Sequence, residues 1–279
     1  MQKIQNLLIA GSKEKPISLD IFYKKSELLQ PIIIFCHGFK GFKNWGHYDL
    51  VAEEFANRGF VFVKFNFSYN GTTLEQPTDF ADLEAFGNNN FSIELEDTGL
   101  VIDYVEKNAQ SYHADKNKIY LIGHSRGGGI TILRTFEDKH VRKLVTWASV
   151  KDAHDFFIMQ DIEQWKADGF ISSLNARTQQ KMPLYFQIYE DYIANKDRLD
   201  IMKAAANIDV PWLIVHGTND EAVPFSYAEK LHQLNENSEL FIVENGNHTF
   251  GGNHPWNENS LPADVKLVVS KTIDFFLKQ

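Results

Sequence analysis

A serine between two glycines is the feature of this sequence best suited to chemistry. The run GHSRG at positions 123–127 fits the pattern G-x-S-x-G, in which the serine lies on a tight turn between a strand and a helix. Glycines two residues from the serine leave room for a strained turn, and the N-terminus of the following helix favours developing negative charge. Because a β-rich run at 118–122 precedes the turn and a helical pattern follows it, we interpret Ser125 as a nucleophile.

A serine nucleophile needs a base, and the base needs a carboxylate that orients it. The apolar run at 212–216 leads into a loop that contains Asp220, and the run at 240–243 leads into a loop that contains His248. Sites in open α/β sheets form where parallel strands end. We therefore expect Ser125, Asp220 and His248 to emerge from one edge of the same sheet, as nucleophile, acid and base.

Other residues compete for the two supporting roles. The alternative acids are Glu221, which is adjacent in sequence, and Asp152 and Asp155, which follow an earlier strand. For the base, His254 is the other histidine on the last loop, but it precedes a proline. His124 and His216 lie in the tight turn and at a strand end, where packing or orienting roles are more typical.

The negative charge that forms on a carbonyl oxygen when a serine attacks the carbonyl carbon needs hydrogen-bond donors. The backbone N–H of Arg126, directly after the nucleophile, is one donor by the geometry of the turn. The second donor is expected in the loop after the strand that ends at Cys36, because His37-Gly38 lets the backbone turn over the site there. We select the N–H of Phe39, although a plain turn between a strand and a helix would have a similar sequence.

Short β-rich runs alternate with helical patterns along most of the chain. This alternation predicts an α/β fold, with a mostly parallel twisted sheet and helices on both of its faces. The predicted strands are 17–23, which is antiparallel, 32–36, 60–65, 118–122, 143–150, 212–216 and 239–243, and the predicted helices are 48–58, 93–108, 127–136, 225–234 and one that begins at 263. The polar stretch 70–90, rich in Gly and Asn, is predicted to be a long loop.

One segment breaks this alternation. About sixty residues separate the strands that end at 150 and begin at 212, whereas a crossover between parallel strands needs far fewer. We interpret 152–207 as several helices that form an inserted cap on a single α/β domain of residues 1–279. The segment contains eight aromatic residues, of which Trp165, Phe170 and Tyr189 are our candidates for contacts with the acyl group.

Composition narrows the possible partners. The 279-residue chain has 28 Lys and Arg and 37 Asp and Glu, a formal net charge of −9, so we expect neither nucleic acid nor a membrane surface as a partner. The single cysteine, Cys36, lies in a predicted buried strand and rules out both an internal disulfide and a CxxC metal site. No apolar stretch has the length of a signal or membrane segment, so we expect a cytoplasmic protein of undetermined oligomeric state.

Together, these motifs resemble the α/β-hydrolase superfamily from about Ile17 to Leu277. The segments that carry the resemblance are HGF at 37–39, GHSRGG at 123–128, HGTND at 216–220 with VP at 223–224, and GNH at 246–248. Within the superfamily, the sequence is similar to serine esterases of the dienelactone-hydrolase-like and cinnamoyl (feruloyl) esterase-like branch. True dienelactone hydrolases have Cys where this chain has Ser125, which argues against that activity.

The resemblance implies a carboxylic-ester hydrolase that acts on a small-molecule ester without a cofactor or a metal. The acyl group would be transferred to Ser125 and then to water. Two alternatives stay open: an acyltransferase or thioesterase with the same three residues, and a ligand-binding or sensor protein that keeps the fold. The sequence identifies neither the acyl nor the alcohol part of the substrate.

Overall fold

The structure described here is a computed structural model, and it describes residues 1–278. The strands in this range are β1 (Gln2–Ile9), β2 (Ile17–Tyr23), β3 (Gln30–Cys36), β4 (Val61–Asn66), β5 (Ala114–His124), β6 (Val141–Trp147), β7 (Phe170–Asn175), β8 (Gln180–Tyr185), β9 (Trp212–Gly217) and β10 (Ser238–Val243). The α-helices are α1 (Tyr48–Asn57), α2 (Leu83–Gly87), α3 (Phe91–Asn108), α4 (Arg126–Glu137), α5 (Ile162–Asp168), α6 (Gln187–Ala194), α7 (Ile201–Asn207), α8 (Ser226–Leu234) and α9 (Ala263–Leu277). None of the helices in residues 1–278 combines the length and apolar character needed to cross a membrane.

Eight of these strands form one sheet, in the order β1-β2-β4-β3-β5-β6-β9-β10. The pairs β1–β2 and β2–β4 are antiparallel, and every pair from β4 to β10 is parallel. Parallel strands point their carboxyl ends to the same edge, so the loops after β3, β5, β9 and β10 lie along that edge. The predicted fold class, a mostly parallel sheet with helices, is confirmed.

Apolar side chains cover both faces of the central strands. Every residue of β4 and of β9 is buried, as expected for strands packed between two helical layers. One core cluster joins the sheet to α3, α4, α7 and α8, and a second joins it to α1 and α9. The sheet is thus held rigidly between two layers, which fixes the ends of its strands in space.

The structure differs from the sequence-based expectations in three places. Strand β1 was not predicted, and it pairs with β2 at the edge of the sheet. The stretch 70–90 includes the short helix α2, which Asp82 caps by accepting a hydrogen bond from Ala85 N–H at 2.9 Å. The prediction of helices throughout 152–207 was wrong for 170–185, where β7 and β8 form an antiparallel hairpin.

The segment 152–207 therefore contains a short 3-10 helix (His154–Phe156), α5, the β7–β8 hairpin, α6 and α7. Its buried side chains, among them Met182 and Ile188, belong to the same core cluster as the sheet. The segment thus packs onto the layer formed by α3 and α4. Its role as an inserted cap stays a prediction.

Candidate active site

The turn that carries Ser125 joins β5 directly to α4. Ser125 lies at φ 57° and ψ −122°, a conformation that costs a non-glycine residue about 1–3 kcal/mol and is found mainly at functional sites. A Cβ atom on Gly123 would lie 2.3 Å from the Gly127 carbonyl oxygen, and one on Gly127 would lie 2.4 Å from that of Cys36. Both glycines are therefore required by backbone contacts, which explains the G-x-S-x-G spacing.

Ser125, His248 and Asp220 form one chain of hydrogen bonds. The Ser125 hydroxyl donates to His248 Nε2 across 3.0 Å, and His248 Nδ1–H donates to Asp220 Oδ2 across 2.8 Å. These three residues follow β5, β10 and β9. The structure thus brings together the residues expected to be nucleophile, base and acid, at one edge of the sheet.

The carboxylate of Asp220 is tightly held. Its Oδ1 accepts hydrogen bonds from the backbone N–H groups of Ala222 at 2.9 Å and Val223 at 2.8 Å. His216 Nε2 lies 3.2 Å from Oδ2 and is 2.9 Å from the Val223 carbonyl oxygen. Burial alone would raise the pKa of Asp220, but hydrogen bonds from His216, His248 and Val223 outweigh it and hold the pKa well below its usual range. Asp220 is therefore ionised at neutral pH.

The alternative bases have other partners. His124 Nε2 lies 2.9 Å from the His248 carbonyl oxygen, and burial lowers the pKa of His124 to about 3. The neutral imidazole therefore donates to that carbonyl and holds the loop of His248 in place. His254 Nδ1 accepts a hydrogen bond from Gly46 N–H at 2.9 Å, and its ring packs on Phe42 at 5.0 Å between ring centres.

The alternative acids are likewise engaged elsewhere. Asp152 accepts a hydrogen bond from the backbone N–H of His154 at 2.9 Å, and Asp155 pairs with Lys151 at 3.2 Å. Neither interaction involves His248, whose Nδ1 is paired with Asp220. Glu221 is exposed to solvent.

A cavity of about 110 Å³ opens at Ser125. Phe39, Lys40, Tyr48, His124, His248 and Thr249 are among its lining residues. The loop after β3 approaches the serine closely, because a Cβ atom on Gly38 would lie 2.8 Å from Ser125 Cβ. Arg126 follows the serine in the chain, and Phe39 follows Gly38 across this contact. Our two candidates for the backbone donors thus both lie beside the serine.

The three aromatic residues expected to contact an acyl group occupy different environments. Trp165 is fully buried, and its indole N–H donates to the Leu184 carbonyl at 3.0 Å. A side chain without accessible surface contacts no substrate, so the interpretation of Trp165 as a pocket residue was wrong. Phe170 is 49% exposed at the start of β7, and Tyr189 packs on Phe157 with 5.3 Å between ring centres. For Phe170 and Tyr189, substrate contact stays a prediction.

Two polar residues near the serine, Lys40 and Glu94, were not predicted from the sequence. Lys40 lies at φ 56°, and its ammonium donates to the Leu174 carbonyl of the hairpin at 2.9 Å. Glu94, on α3, is buried and pairs with Arg126 at 2.9 Å. A carboxylate on the apolar stripe that Phe91, Val101 and Val105 define at helical spacing was the signal that could have identified Glu94.

These features define the class of protein. A mostly parallel eight-stranded sheet, a serine on a strained turn between strand and helix, and an aspartate and a histidine on later loops of the same edge are the arrangement of an α/β-hydrolase. Among residues 1–278, no group of three or more His, Cys, Asp or Glu has the geometry of a metal site.

Comparison with known proteins gives the family. The BD-FAE family profile matches residues 19–234. Over 261 residues the chain is 24% identical to a protein of Mycoplasma pneumoniae with the provisional name esterase/lipase 2, and the match covers 85% of this chain and 87% of that protein. Est1E of Butyrivibrio proteoclasticus, solved with ferulic acid bound, has a TM-score of 0.74 at 17% identity, with 98% of each chain covered.

The chain belongs to the BD-FAE family of esterases. It is also similar to an uncharacterized 31.7 kDa protein of Escherichia coli, with 27% identity over 165 residues, or 59% of this chain and 53% of that protein. The chain thus spans about half the length of this relative.

Proposed function

We propose that this protein hydrolyses carboxylic esters through an acyl-enzyme on Ser125, with His248 as the base and Asp220 as its orienting acid. The observation that carries the proposal is the hydrogen-bonded chain from Ser125 through His248 to Asp220, with distances of 3.0 and 2.8 Å. Membership of an esterase family supports the class of reaction.

Ser125, His248 and Asp220 each have a defined role in the reaction. His248 Nε2 takes the hydroxyl proton of Ser125 as the serine oxygen bonds to the ester carbon. The negative charge that moves to the carbonyl oxygen is stabilised by the N–H groups of Phe39 and Arg126. The His248 imidazolium, stabilised by ionised Asp220, then gives its proton to the departing alcohol oxygen.

Water completes the reaction in the same site. Its oxygen attacks the acyl carbon while His248 takes one of its protons. The bond to Ser125 then breaks, the proton passes to the serine oxygen, and the carboxylic acid leaves. With the ester and one water molecule, these side chains and backbone donors account for every atom and charge in the reaction.

We propose an apolar or aromatic acyl group. Phe39 lines the cavity at Ser125, and its ring packs on Phe86 at 5.6 Å and on Phe156 at 5.4 Å between centres. This group of rings suits an apolar surface better than a charged one. Phe156 belongs to 152–207, so we also propose that this segment caps the site.

The test of the nucleophile compares two serines. Ser125→Ala is expected to lower kcat for p-nitrophenyl esters by several orders of magnitude and to abolish labelling by a fluorophosphonate, because both need the serine oxygen. Ser172→Ala, at an exposed position of the hairpin, is the matched control and should leave both unchanged. Turnover or labelling that survives in Ser125→Ala contradicts the proposal.

The same preparation separates hydrolysis from the alternative reactions. With an ester substrate in water, the expected product is the free acid, even when an added alcohol or amine is present at moderate concentration. A dominant product that carries the added alcohol or amine would instead indicate an acyltransferase. Preference for a thioester over its matched ester would indicate a thioesterase, and binding without turnover a sensor.

A further inference from the structure

The side chain of Arg126 is buried beside the serine, although the mechanism above uses only its backbone. It is 5% exposed, and its Nε donates to Glu94 Oε2 at 2.9 Å. The guanidinium carbon lies 4.1 Å from the centre of the Phe91 ring, and 5.5 and 5.7 Å from those of Phe39 and Phe156. A charged group is thus enclosed by a carboxylate and three aromatic rings.

Stability does not account for this buried pair. The cost of removing two charges from water offsets most of their attraction, and apolar residues of similar volume are often at least as stable. Arg126 Nη2 is buried and has no hydrogen-bond partner among the described residues. Burial raises the pKa of Glu94 against the opposing effects of Arg126 and of the hydrogen bond from Asn89. The pair is therefore a costly arrangement that needs another explanation.

The position of the pair supplies that explanation. The proposed oxyanion donors belong to two separate segments, the loop after β3 and the start of α4 after β5. On the side of the serine, these two segments meet by close contacts at Gly38 and Gly127. On the other side, they meet where the Arg126 guanidinium lies over the Phe39 ring, and Glu94 fixes that guanidinium to α3.

We propose that the Arg126–Glu94 pair is a clamp that sets the spacing between the backbone N–H groups of Phe39 and Arg126. This inference rests on the proposed function, because the clamp matters only if these two groups hold an oxyanion. The side chains of Arg126 and Glu94 are then positioning residues. This role requires a planar guanidinium, because its faces stack on aromatic rings while its N–H groups donate to a carboxylate. An ammonium group does not do both at once.

The first test replaces the guanidinium by another cation. Arg126→Lys keeps a positive charge near the oxyanion but loses the planar contact with Phe39. We expect kcat for p-nitrophenyl acetate to fall about tenfold to a hundredfold, because displacement of one donor weakens transition-state binding, with KM nearly unchanged. The acetyl group is small enough to report the donors rather than the aromatic rings around Phe39.

The second test removes both charges together. Arg126→Met/Glu94→Met leaves no unpaired buried charge, so its melting temperature should be equal to or above that of the wild type. Its kcat should nevertheless fall by a factor similar to that of Arg126→Lys. Its affinity for phenylboronic acid, which forms a tetrahedral adduct on a serine oxygen, should fall in parallel.

The outcomes separate this inference from the proposed function. Wild-type kcat in either Arg126→Lys or the double variant would overturn the clamp, because charge alone or packing alone would then suffice. Ser125→Ala is assayed beside them with the same ester. Activity that survives in Ser125→Ala would overturn the proposed function itself, whereas loss there with full activity in the clamp variants would overturn the clamp alone.

Discussion

The sheet edge that carries Ser125 and the adjacent segment 152–207 are held in different ways. At the edge, the strained turn is fixed by close contacts between backbone atoms. Gly127, for example, lies so close to the Cys36 carbonyl oxygen that an added Cβ would be only 2.4 Å from it. In the segment, large apolar side chains remain in water, with Met159 88% and Phe170 49% exposed. The edge thus fixes reacting atoms, while the segment offers a surface that can change at small cost to the fold.

Polar contacts join the tip of the hairpin to this edge. Lys40 donates to the Leu174 carbonyl, and Arg177 contacts the Thr78 carbonyl and Asp79, both at 2.7 Å. Contacts of this kind at partly exposed positions contribute little stability each. We therefore expect substitutions at the edge to abolish the reaction, and those in the segment to change which ester is preferred.

The largest effect on kcat is expected from substitutions of the hydrogen-bonded residues Ser125, His248 and Asp220. His248→Ala should lower kcat about as much as Ser125→Ala does, because the two side chains act as one unit. Asp220→Asn should cost less, on the order of 10⁴-fold, because it disturbs the tautomer of His248 rather than removing the base. Steady-state kinetics with p-nitrophenyl esters measures both.

Two matched variants check this assignment. His254→Ala removes the other histidine of the last loop, and Asp155→Asn removes a rival acid. Both should keep kcat near that of the wild type, whatever they do to stability. If Asp220→Asn kept a normal rate while Asp155→Asn did not, the acid would follow β6 instead of β9.

The next effect concerns glycines in the two regions. Gly127→Ala would place a Cβ against backbone atoms that cannot move freely, so we expect a loss of about 3 kcal/mol or more in the free energy of unfolding. Gly169, in the segment, has φ 77°, but a methyl group added there would meet only open space. Gly169→Ala should cost only about 1–2 kcal/mol, from the left-handed backbone alone. Urea unfolding measures both variants. If Gly127→Ala and Gly169→Ala lost equal free energy of unfolding, backbone contacts would not distinguish the two regions.

The same contrast decides what the sequence can predict. The strand β3 was predictable because its residues 32–36 are all apolar, as burial between two helical layers requires. The order of Ser125, Asp220 and His248 after three such strands placed them at one edge before any distance was known. Local pattern suffices where the fold is a regular sheet and the polar residues follow its strands.

Elements with mixed exposure gave no comparable signal. Strand β1 has five residues exposed to solvent, and none buried, so its sequence lacks a regular apolar alternation. The hairpin turn at 176–179 has no glycine, and Gln179 adopts the positive φ of 57° instead. The Arg126–Glu94 pair joins residues 32 positions apart, and the pattern G-x-S-x-G carries no information on that contact.

Three histidines buried around the site, His37, His47 and His124, are expected to make the stability of the protein depend on pH. Burial lowers the pKa of His37 and His47 to about 4 from 6.5, and that of His124 to about 3. Between these values and 6.5 the unfolded chain binds protons that the folded chain does not, so the contribution of these histidines to stability falls as pH drops from about 7 to about 4. Each histidine contributes at most about 1.4 kcal/mol per pH unit.

Urea unfolding at several pH values measures this slope. His47→Gln should reduce it, because one buried neutral imidazole is removed. His154→Gln, at an exposed position of the segment, should leave it unchanged. Glu94 acts in the opposite direction, since its raised pKa makes the folded state bind a proton more readily above 4.5. A slope that does not differ between His47→Gln and the wild type contradicts the assignment to His47.

The smallest effect is expected where the two regions meet. Phe156 lies in the segment, yet its ring packs on Phe39 beside the serine, whereas Phe170 lies at the far end of β7 from Leu174, which contacts Lys40. Phe156→Ala should lower kcat/KM for cinnamoyl-type or longer acyl esters relative to acetyl esters, by about 1 kcal/mol or roughly fivefold, since one aromatic contact is lost. Phe136→Ala, near the end of α4 where the side chain is 37% exposed, is the matched control of equal size and should keep the wild-type ratio. Because both ratios compare two substrates on one variant, a loss of folded protein cancels. If Phe170→Ala changed the ratio and Phe156→Ala did not, the acyl group would lie along the hairpin, as the sequence alone suggested for Phe170, and not against the ring beside Ser125.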